Sequence, residues 1–199
     1  MKDKKNIELL APAGNIESFK AAVQTKADAI YMGVGKYNAR TMAKNFDKNE
    51  YIECIEYAHK RGVKVYLTLN TLMYDSEILD ALNIVVELYS KGLDAVIVQD
   101  IGLAMAIKEV LPNLALHAST QMSIYNLQQV KFLEKIGFKR IVLARELSVS
   151  QIEYICQNTD IEIEVFVHGA LCVSLSGQCN LSGSIGDRSA NRGACARTM

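Results

Sequence analysis

The chain has 199 residues, half of them hydrophobic, and its 22 Lys and Arg residues are balanced by 22 Asp and Glu residues. Domains typically contain about 100–200 residues, so this length is sufficient for one domain with a substantial core. The balanced charge argues against non-specific electrostatic binding to nucleic acid and leaves a small substrate or a shaped partner open. The charged N-terminus lacks an apolar signal region, and no run approaches the ~20 apolar residues of a membrane helix. We therefore expect a cytoplasmic protein that does not associate with membranes.

Short apolar runs alternate with amphipathic runs along the whole chain. The predicted strands comprise residues 8–11, 29–33, 63–69, 95–98, 114–116, 141–143 and 161–167. The predicted helices comprise residues 16–26, 48–61, 76–91, 102–110, 127–136 and 149–158. Asp47 with Glu50, and Ser148 with Gln151, have the spacing of capping boxes at the starts of two helices. Continuous apolar strands that alternate with helices indicate a parallel sheet covered by helices.

The number of units favours a (β/α)₈ TIM-like barrel over a doubly wound sheet, because no G-x-G-x-x-G sequence follows the first strand. A whole barrel requires about 250 residues, whereas this chain stops after its seventh strand. We predict an incomplete barrel, with a barrel-like β/α domain over residues 1–168 and a cysteine-containing loop segment over residues 169–199. The first and seventh strands would then be exposed edges unless a dimer covers them.

Polar residues recur at the predicted C-terminal ends of the strands, where barrel enzymes build their active sites. The candidate catalytic residues are Asn70, Asp100, His117, Arg145, Glu146 and His168. Arg145 between His117 and His168 would suit an anionic substrate or an acid/base pair. The alternative is that these residues simply mark where each strand returns to solvent.

Five cysteines in a chain too large to depend on disulfides favour metal or thiolate chemistry in a reducing compartment. We predict that Cys54 and Cys156, which lie in helical patterns beside isoleucines, are small buried hydrophobes. Cys172, Cys179 and Cys195 follow one another in a stretch rich in Gly, Ser and Asn. Zinc sites usually contain C-x₂₋₄-C pairs, which are absent, so the wider spacing favours an iron–sulfur cluster.

Several motifs resemble the collagenase-like peptidases of unknown catalytic type, their family 32, over essentially the whole chain. Two lie in the cysteine-containing region: E-V-F-V-H-G-A-L-C at residues 164–172 and G-Q-C-N-L-S at 177–182. The others are L-L-A-P-A-G at 9–14, A-I-Y-M-G at 29–33, H-A-S-T-Q at 117–121 and R-E-L-S at 145–148.

The resemblance implies two competing functions. Some members of the family are described as collagenases, whose substrate would be a collagen-like peptide. Others hydroxylate RNA bases, either transfer RNA uridine or ribosomal RNA cytidine, with prephenate as a required metabolite. The hydroxylating relatives hold a 4Fe–4S cluster on four cysteines. By resemblance, Cys172, Cys179 and Cys195 would be the first three ligands, and the fourth would lie beyond residue 199.

The residues favour the hydroxylation class. A peptidase needs an activated nucleophile or a metal-bound water, and the chain contains neither H-E-x-x-H nor G-x-S-x-G. A Cys172–His168 dyad is conceivable, but it lies in the segment that cluster ligation explains better. We expect Arg145 to pair with a carboxylate of the metabolite. A third reading is a non-catalytic scaffold, or a subunit that needs a second copy or a paralogous partner.

Overall fold

The computed structural model describes residues 7–39, 45–170, 172–186 and 189–195. Its strands are β1 Leu10–Pro12, β2 Ala29–Met32, β3 Lys64–Leu69, β4 Ala95–Val98, β5 Ala115–Ala118, β6 Arg140–Val142 and β7 Glu162–Glu164. Its α-helices are α1 Ile16–Gln24, α2 Lys48–His59, α3 Asp75–Ser90, α4 Ile101–Val110, α5 Leu127–Lys135, α6 Val149–Gln157 and the short α7 Leu181–Gly186. Strands and helices alternate as far as β7.

The strands form one parallel sheet in the order β1-β2-β3-β4-β5-β6-β7, so each strand pairs with its neighbours in sequence. This order is that of a barrel wall, and the sheet curls into an open half-barrel with β1 and β7 at its two ends. The prediction of an incomplete TIM-like α/β fold is therefore confirmed.

The two faces of the sheet carry different residues because side chains alternate along each strand. On the outer face of β3, Val65, Leu67 and Leu69 are fully buried and belong to the main core, which they share with the helices. On the inner face, Tyr66 packs in a smaller cluster with Ala29, Ala95 and Ile97. The outer core supplies most of the apolar burial, and the inner face has room for polar groups.

Helices begin where the sequence supplies a cap. Asp47 accepts a hydrogen bond from Glu50 N, and the Glu50 carboxylate accepts one from Asp47 N, which closes the predicted capping box of α2. Ser148 and Gln151 form the same arrangement at the start of α6. Each box satisfies backbone donors that a helix start would otherwise leave unpaired.

Arg140 lies at the centre of a charged network on the inner face. Its guanidinium contacts Glu8 at 2.6 Å from Nη1 and Glu162 at 2.9 Å from Nε. Its Nη1 also lies 3.5 Å from the Glu164 carboxylate. Glu8 comes just before β1, whereas Arg140 belongs to β6, so the network joins distant parts of the curled sheet. Tyr66 completes it by donating its hydroxyl to Glu8 at 2.9 Å.

The surroundings of Glu8 and Glu164 shift the pKa values of these two carboxyl groups in opposite directions. Burial opposes ionisation of Glu8, but hydrogen bonds from Arg140 and Tyr66 outweigh burial and lower the pKa of Glu8 to about 2. Burial dominates at Glu164 and raises its pKa to about 6, although Arg140 is near. One guanidinium therefore stabilises the charge of Glu8 and does not fully compensate that of Glu164.

Three predictions from the pattern need correction. Strand β7 ends at Glu164 rather than at residue 167, because β6 is its only partner and the ladder between them is short. Strand β5 runs to Ala118, so His117 lies within the strand and not after it. Cys156 is exposed, because α6 turns the adjacent Ile155 to the core; the prediction that Cys54 is buried is confirmed.

Within the described ranges, no helix combines the length and the hydropathy that crossing a bilayer requires.

Replacing Arg140 by Met should lower the free energy of unfolding by about 3–5 kcal/mol, because the buried carboxylates of Glu8 and Glu164 would lose their counter-charge. Urea unfolding followed by circular dichroism measures this change. Lys48→Met is the matched control: it breaks the exposed Lys48–Glu87 pair and should cost at most about 1 kcal/mol. Equal effects of the two substitutions would show that the network does not hold the sheet.

Glu164 and Glu8 should make opposite contributions to the change of the free energy of unfolding with pH. The raised pKa of Glu164 means that its stabilising contribution is present below pH 4.5 and lost as the pH rises to about 6. Glu164→Gln should therefore exceed the wild type in stability at pH 7, by about 2 kcal/mol, and match it at pH 4.

Glu8 provides the opposite case, since its contribution is present above pH 4.5 and lost as the pH falls to about 2. Glu8→Gln should be less stable than the wild type at pH 7 by about 3 kcal/mol, and the difference should shrink in acid. Denaturant melts of both variants across this pH range measure the two effects. Parallel pH profiles for the two variants would contradict the assignment.

Candidate functional site

Polar side chains meet at the C-terminal ends of the central strands, which we call the mouth of the half-barrel. Asn70, after β3, donates its amide to Ser119 Oγ at 3.4 Å and accepts from Ala39 N at 2.9 Å. Gln99, after β4, donates to Gln121 O at 3.2 Å, and its own side-chain oxygen is buried without a hydrogen-bond partner. These amides form the neutral part of the mouth.

We call residues 169–195 the cysteine segment, and its described parts, 169–170, 172–186 and 189–195, are attached to this mouth. Its main attachment is Ser176, whose side chain and backbone are buried. Ser176 donates its backbone N–H to the Glu146 carboxylate at 2.8 Å and its hydroxyl to the same carboxylate at 3.1 Å. Arg145 donates from Nε to Ser176 Oγ at 3.2 Å. The two charged residues after β6 therefore bind one serine of the cysteine segment.

The residues beside Ser176 tighten the attachment. Ser123 donates its hydroxyl to Ser176 O at 2.6 Å and accepts from Gln178 Nε2 at 2.9 Å. Gly177 has a φ of +72°, and a Cβ there would lie 2.0 Å from the backbone oxygen of Gln121. Only glycine permits both this conformation and this close approach.

A second attachment lies at the far end of the cysteine segment. Arg192 donates from Nη1 to Leu72 O at 2.8 Å and pairs with the Glu77 carboxylate through Nη2 at 2.5 Å. Its guanidinium also stacks over the Tyr74 ring, 4.3 Å from the ring centroid. All three partners belong to the loop after β3 or to α3, so the cysteine segment runs from the β6 side of the mouth to the β3 side.

The electrostatics at Ser176 favour an ionised Glu146. Burial opposes its charge, but the backbone N–H groups of Glu146 and Ser176, together with nearby hydroxyls, lower the pKa of Glu146 below its usual range. Burial and the nearby Glu146 carboxylate raise the pKa of Tyr125, whose buried hydroxyl has no hydrogen bond of ordinary geometry. Glu146 is therefore an anion that the cysteine segment uses as an acceptor.

The three cysteines of this segment are free thiols. Cys172 and Cys195 are exposed and Cys179 is half-buried. Hydrogen bonds from the Ser174 hydroxyl and the Leu181 backbone lower the pKa of the Cys179 thiol. Within the described ranges, no three His, Cys, Asp or Glu side chains are arranged to hold a metal ion. The thiols suit an iron–sulfur cluster chemically, but this conformation does not bring them together.

The structure separates the predicted histidines from Arg145. His117 is 4% exposed on the inner face of the sheet, and its ring packs edge-on against Tyr66 at 4.8 Å. Burial and the neighbouring Arg140 lower the pKa of His117 to about 3, so it is neutral at pH 7. His168 is exposed, four residues beyond the end of β7. The described contacts of the Arg145 side chain are with Ser176, not with an imidazole.

Asp100 is held by backbone groups. One carboxylate oxygen accepts from Leu103 N at 2.8 Å as the N-cap of α4, and the other accepts from Met73 N at 3.1 Å. Both oxygens thus fix the positions of two loops at the mouth. Asn70 similarly ties the chain at Ala39 to the strand ends.

Sequence reasoning did not single out Ser176, Gly177, Ser123 or Arg192, although these residues build the site. The signal was present in part, since Gly177 stands directly before the Gln178-Cys179 pair of the cysteine motif. Ser123 and Arg192 lie outside any chemical motif. Only the fold brings them to the cysteine segment.

The proteins similar to this chain include RNA hydroxylation proteins and a collagenase. It is 44% identical over 191 residues to the 23S rRNA 5-hydroxycytidine C2501 synthase of Escherichia coli, covering 96% of this chain and 29% of that protein. It is 39% identical to tRNA hydroxylation protein P1 of Bacillus subtilis, covering 98% and 46%. It is 35% identical to a collagenase of Porphyromonas gingivalis, covering 96% and 49%. The chain therefore spans less than half of each of these relatives.

The fold has a match among solved structures. The structure of the U32 peptidase Mk0906 superposes with a TM-score of 0.69 at 16% identity, covering 83% of this chain and 70% of that one. At this identity the likeness concerns the fold alone. The model of Peptidase family U32 matches residues 14–199. The chain therefore belongs to peptidase family U32.

Proposed function

We propose that this chain is part of an enzyme that hydroxylates pyrimidine bases of transfer or ribosomal RNA in the cytoplasm. The observation that carries the proposal is the 44% identity, across almost the whole chain, to a protein named as an rRNA 5-hydroxycytidine synthase. The likeness to a tRNA hydroxylation protein of a different organism supports the same class. The two relatives differ in RNA type, so the proposal covers both.

Arg145 is the residue that we propose binds an anionic co-substrate. Ser176 holds its Nε, and among the described contacts the terminal guanidinium nitrogens have no partner. An anchored, exposed guanidinium at the mouth can bind a carboxylate through two parallel hydrogen bonds. By the family resemblance, this co-substrate would be prephenate, which carries carboxylates.

We also propose that the cysteine segment binds a 4Fe–4S cluster, because cysteine thiolates are the usual ligands of such clusters. Cys172, Cys179 and Cys195 would supply three thiolates, and such a cluster would supply redox chemistry at the mouth. The described conformation does not gather these cysteines, so binding would require the backbone around the thiols to rearrange while the attachments of the segment to the mouth persist. We assign no step of the reaction to the cluster.

The peptidase alternative is supported by the name of the collagenase relative, whose substrate would be a collagen-like peptide. Its chemistry requires a nucleophile within hydrogen-bond reach of a base. His117 is buried inside the sheet, and His59 contacts Asp94 at 2.9 Å at the end of α2. The serine that touches a carboxylate, Ser176, is only 1% exposed. These three residues therefore do not form the accessible nucleophile–base pair that a peptidase requires, and no described hydrogen bond joins Cys172 to His168, the dyad considered from the sequence.

A further subunit is also part of the proposal. Ile7, beside β1, is 94% exposed, and Val167, beyond β7, is 85% exposed. Large apolar side chains near both sheet ends would be covered by a second copy or by a paralogous partner.

Replacing Arg145 by Gln should reduce 5-hydroxypyrimidine content in RNA at least about tenfold, because a charge-assisted contact with the co-substrate would be lost. The variant would replace the native gene in the source organism, and nucleoside mass spectrometry of purified tRNA and rRNA would measure the product. Arg61→Gln is the control, since Arg61 stacks on Tyr57 at the end of α2, away from the mouth. Normal RNA hydroxylation in the Arg145 variant would contradict its role.

Replacing Cys172, Cys179 and Cys195 together by Ser in the full-length protein, which carries the fourth expected ligand, should abolish iron uptake during anaerobic reconstitution, because three of the proposed thiolate ligands would be gone. Iron and sulfide analysis with visible absorption would measure the cluster. The matched control replaces Cys54 and Cys156, the two cysteines outside the cysteine segment, and should leave iron uptake unchanged. Equal iron content in the two variants would refute ligation by the segment.

A further inference from the structure

The cysteine segment is attached to the mouth at two places that share no residue. The first comprises Ser176 with Glu146, and the second comprises Arg192 with Glu77. Each cysteine lies within four residues of one of these points: Cys172 and Cys179 flank Ser176, whereas Cys195 follows Arg192. Holding the two points therefore restrains the backbone beside each of the three thiols.

We infer that Glu146 and Arg192 are positioning residues that act as two independent clamps on the cysteine segment, the first beside Cys172 and Cys179 and the second beside Cys195. This role is distinct from direct catalysis. The clamping follows from the contacts alone, and its importance for the reaction rests on the proposed function.

The first clamp is strong because its acceptor is an anion. The Glu146 carboxylate accepts from both the backbone N–H and the hydroxyl of Ser176, and hydrogen bonds to an ionised acceptor are about twice as strong as neutral ones. Ser123 binds the backbone oxygen of the same residue. All three bonds converge on one residue, three positions before Cys179.

The close packing of Gly177 makes this attachment specific. A Cβ at Gly177 would lie 2.0 Å from the Gln121 carbonyl oxygen, so the backbone between Ser176 and Cys179 packs directly on the mouth. At the second clamp, Gly193 follows Arg192 with a φ of +85°, and the attachment consists of the three contacts of the Arg192 guanidinium.

The two clamps also differ in their partners on the barrel. Glu146 follows β6, whereas Glu77 belongs to α3, so no strand or helix carries both. The two parts of the cysteine segment touch each other through Asn191 Nδ2 and Asn180 Oδ1, at 3.5 Å, which is long for a hydrogen bond. Local opening of one attachment therefore need not release the other, and the two parts should exchange hydrogen separately.

Hydrogen–deuterium exchange of the purified protein tests this independence. Glu146→Ala should speed exchange about tenfold in peptides covering residues 172–181, because the loss of about 1.4 kcal/mol of local stability is a tenfold change. Peptides covering residues 189–195 should be unchanged. Arg192→Ala should give the reverse pattern. Ser184→Ala, which removes an exposed hydroxyl of α7, is the matched control and should change neither region.

A conservative variant and the alkylation rates of two cysteines distinguish the loss of a clamp from destabilisation of the whole protein. Glu146→Gln keeps an oxygen that can accept from Ser176 N–H, so its exchange should lie between those of the wild type and Glu146→Ala. Alkylation at one fixed pH should be faster at Cys179 in Glu146→Ala and unchanged at the buried Cys54. Faster alkylation of Cys54 would show general unfolding and overturn the inference.

The remaining outcomes also decide the matter. If either substitution loosens both regions together, or neither region responds, two independent clamps do not exist. If exchange follows the predicted pattern while RNA hydroxylation persists in both variants, the clamps stand and their role in the proposed function fails. A loss of hydroxylation together with the predicted exchange pattern supports both.

Discussion

The contact between Arg140 and Glu8 is the constraint on which the rest of the structure depends. It joins β6 to the chain entering β1 within a sheet whose ladder does not close. Parallel sheets twist, but twist alone does not fix how far the two ends of an open sheet curl together. The Arg140 guanidinium is 9% exposed; its Nη1 contacts Glu8 and lies near Glu164, and its Nε and Nη2 contact Glu162, so it fixes that distance.

The inner face and the mouth of the half-barrel have separate chemical roles. The inner face holds the charges around Arg140, together with neutral His117, inside the sheet, which suits stability rather than exchange with a substrate. The mouth holds amides, hydroxyls and the Asp100 carboxylate, and its charged pair after β6 binds the cysteine segment. Because β6 carries Arg140 and leads to Arg145 and Glu146, the curvature of the sheet determines where the cysteine segment is attached.

The fold was largely predictable because its signals are local. Apolar strand runs, the Asp47 and Ser148 capping boxes and the count of seven units follow from periodicity and from short-range hydrogen bonds. The length of β7 was not predictable, because the apolar run at residues 161–167 continues beyond the point where β6 can pair with it. Strand pairing, unlike strand propensity, depends on a distant part of the chain.

The site was predictable only in part for a related reason. Asn70, Asp100, Arg145 and Glu146 follow strands and lie at the C-terminal edge of the sheet, but the pattern did not indicate which of their oxygens and nitrogens the protein uses itself. His117 shows this limit most clearly. Side chains alternate along β5, so that of His117 lies on the inner face, and because β5 continues one residue beyond it, His117 lies below the mouth. Ser176 and Arg192 became visible only through tertiary contacts.

The most direct test of the central claim is nucleoside mass spectrometry of tRNA and rRNA from cells with and without the gene. Loss of 5-hydroxycytidine or of 5-hydroxyuridine derivatives on deletion, with restoration by the wild-type gene, is the predicted result. Unchanged hydroxylation of both RNA classes, together with cleavage of a collagen-like peptide by the purified protein, would contradict the account and establish the peptidase.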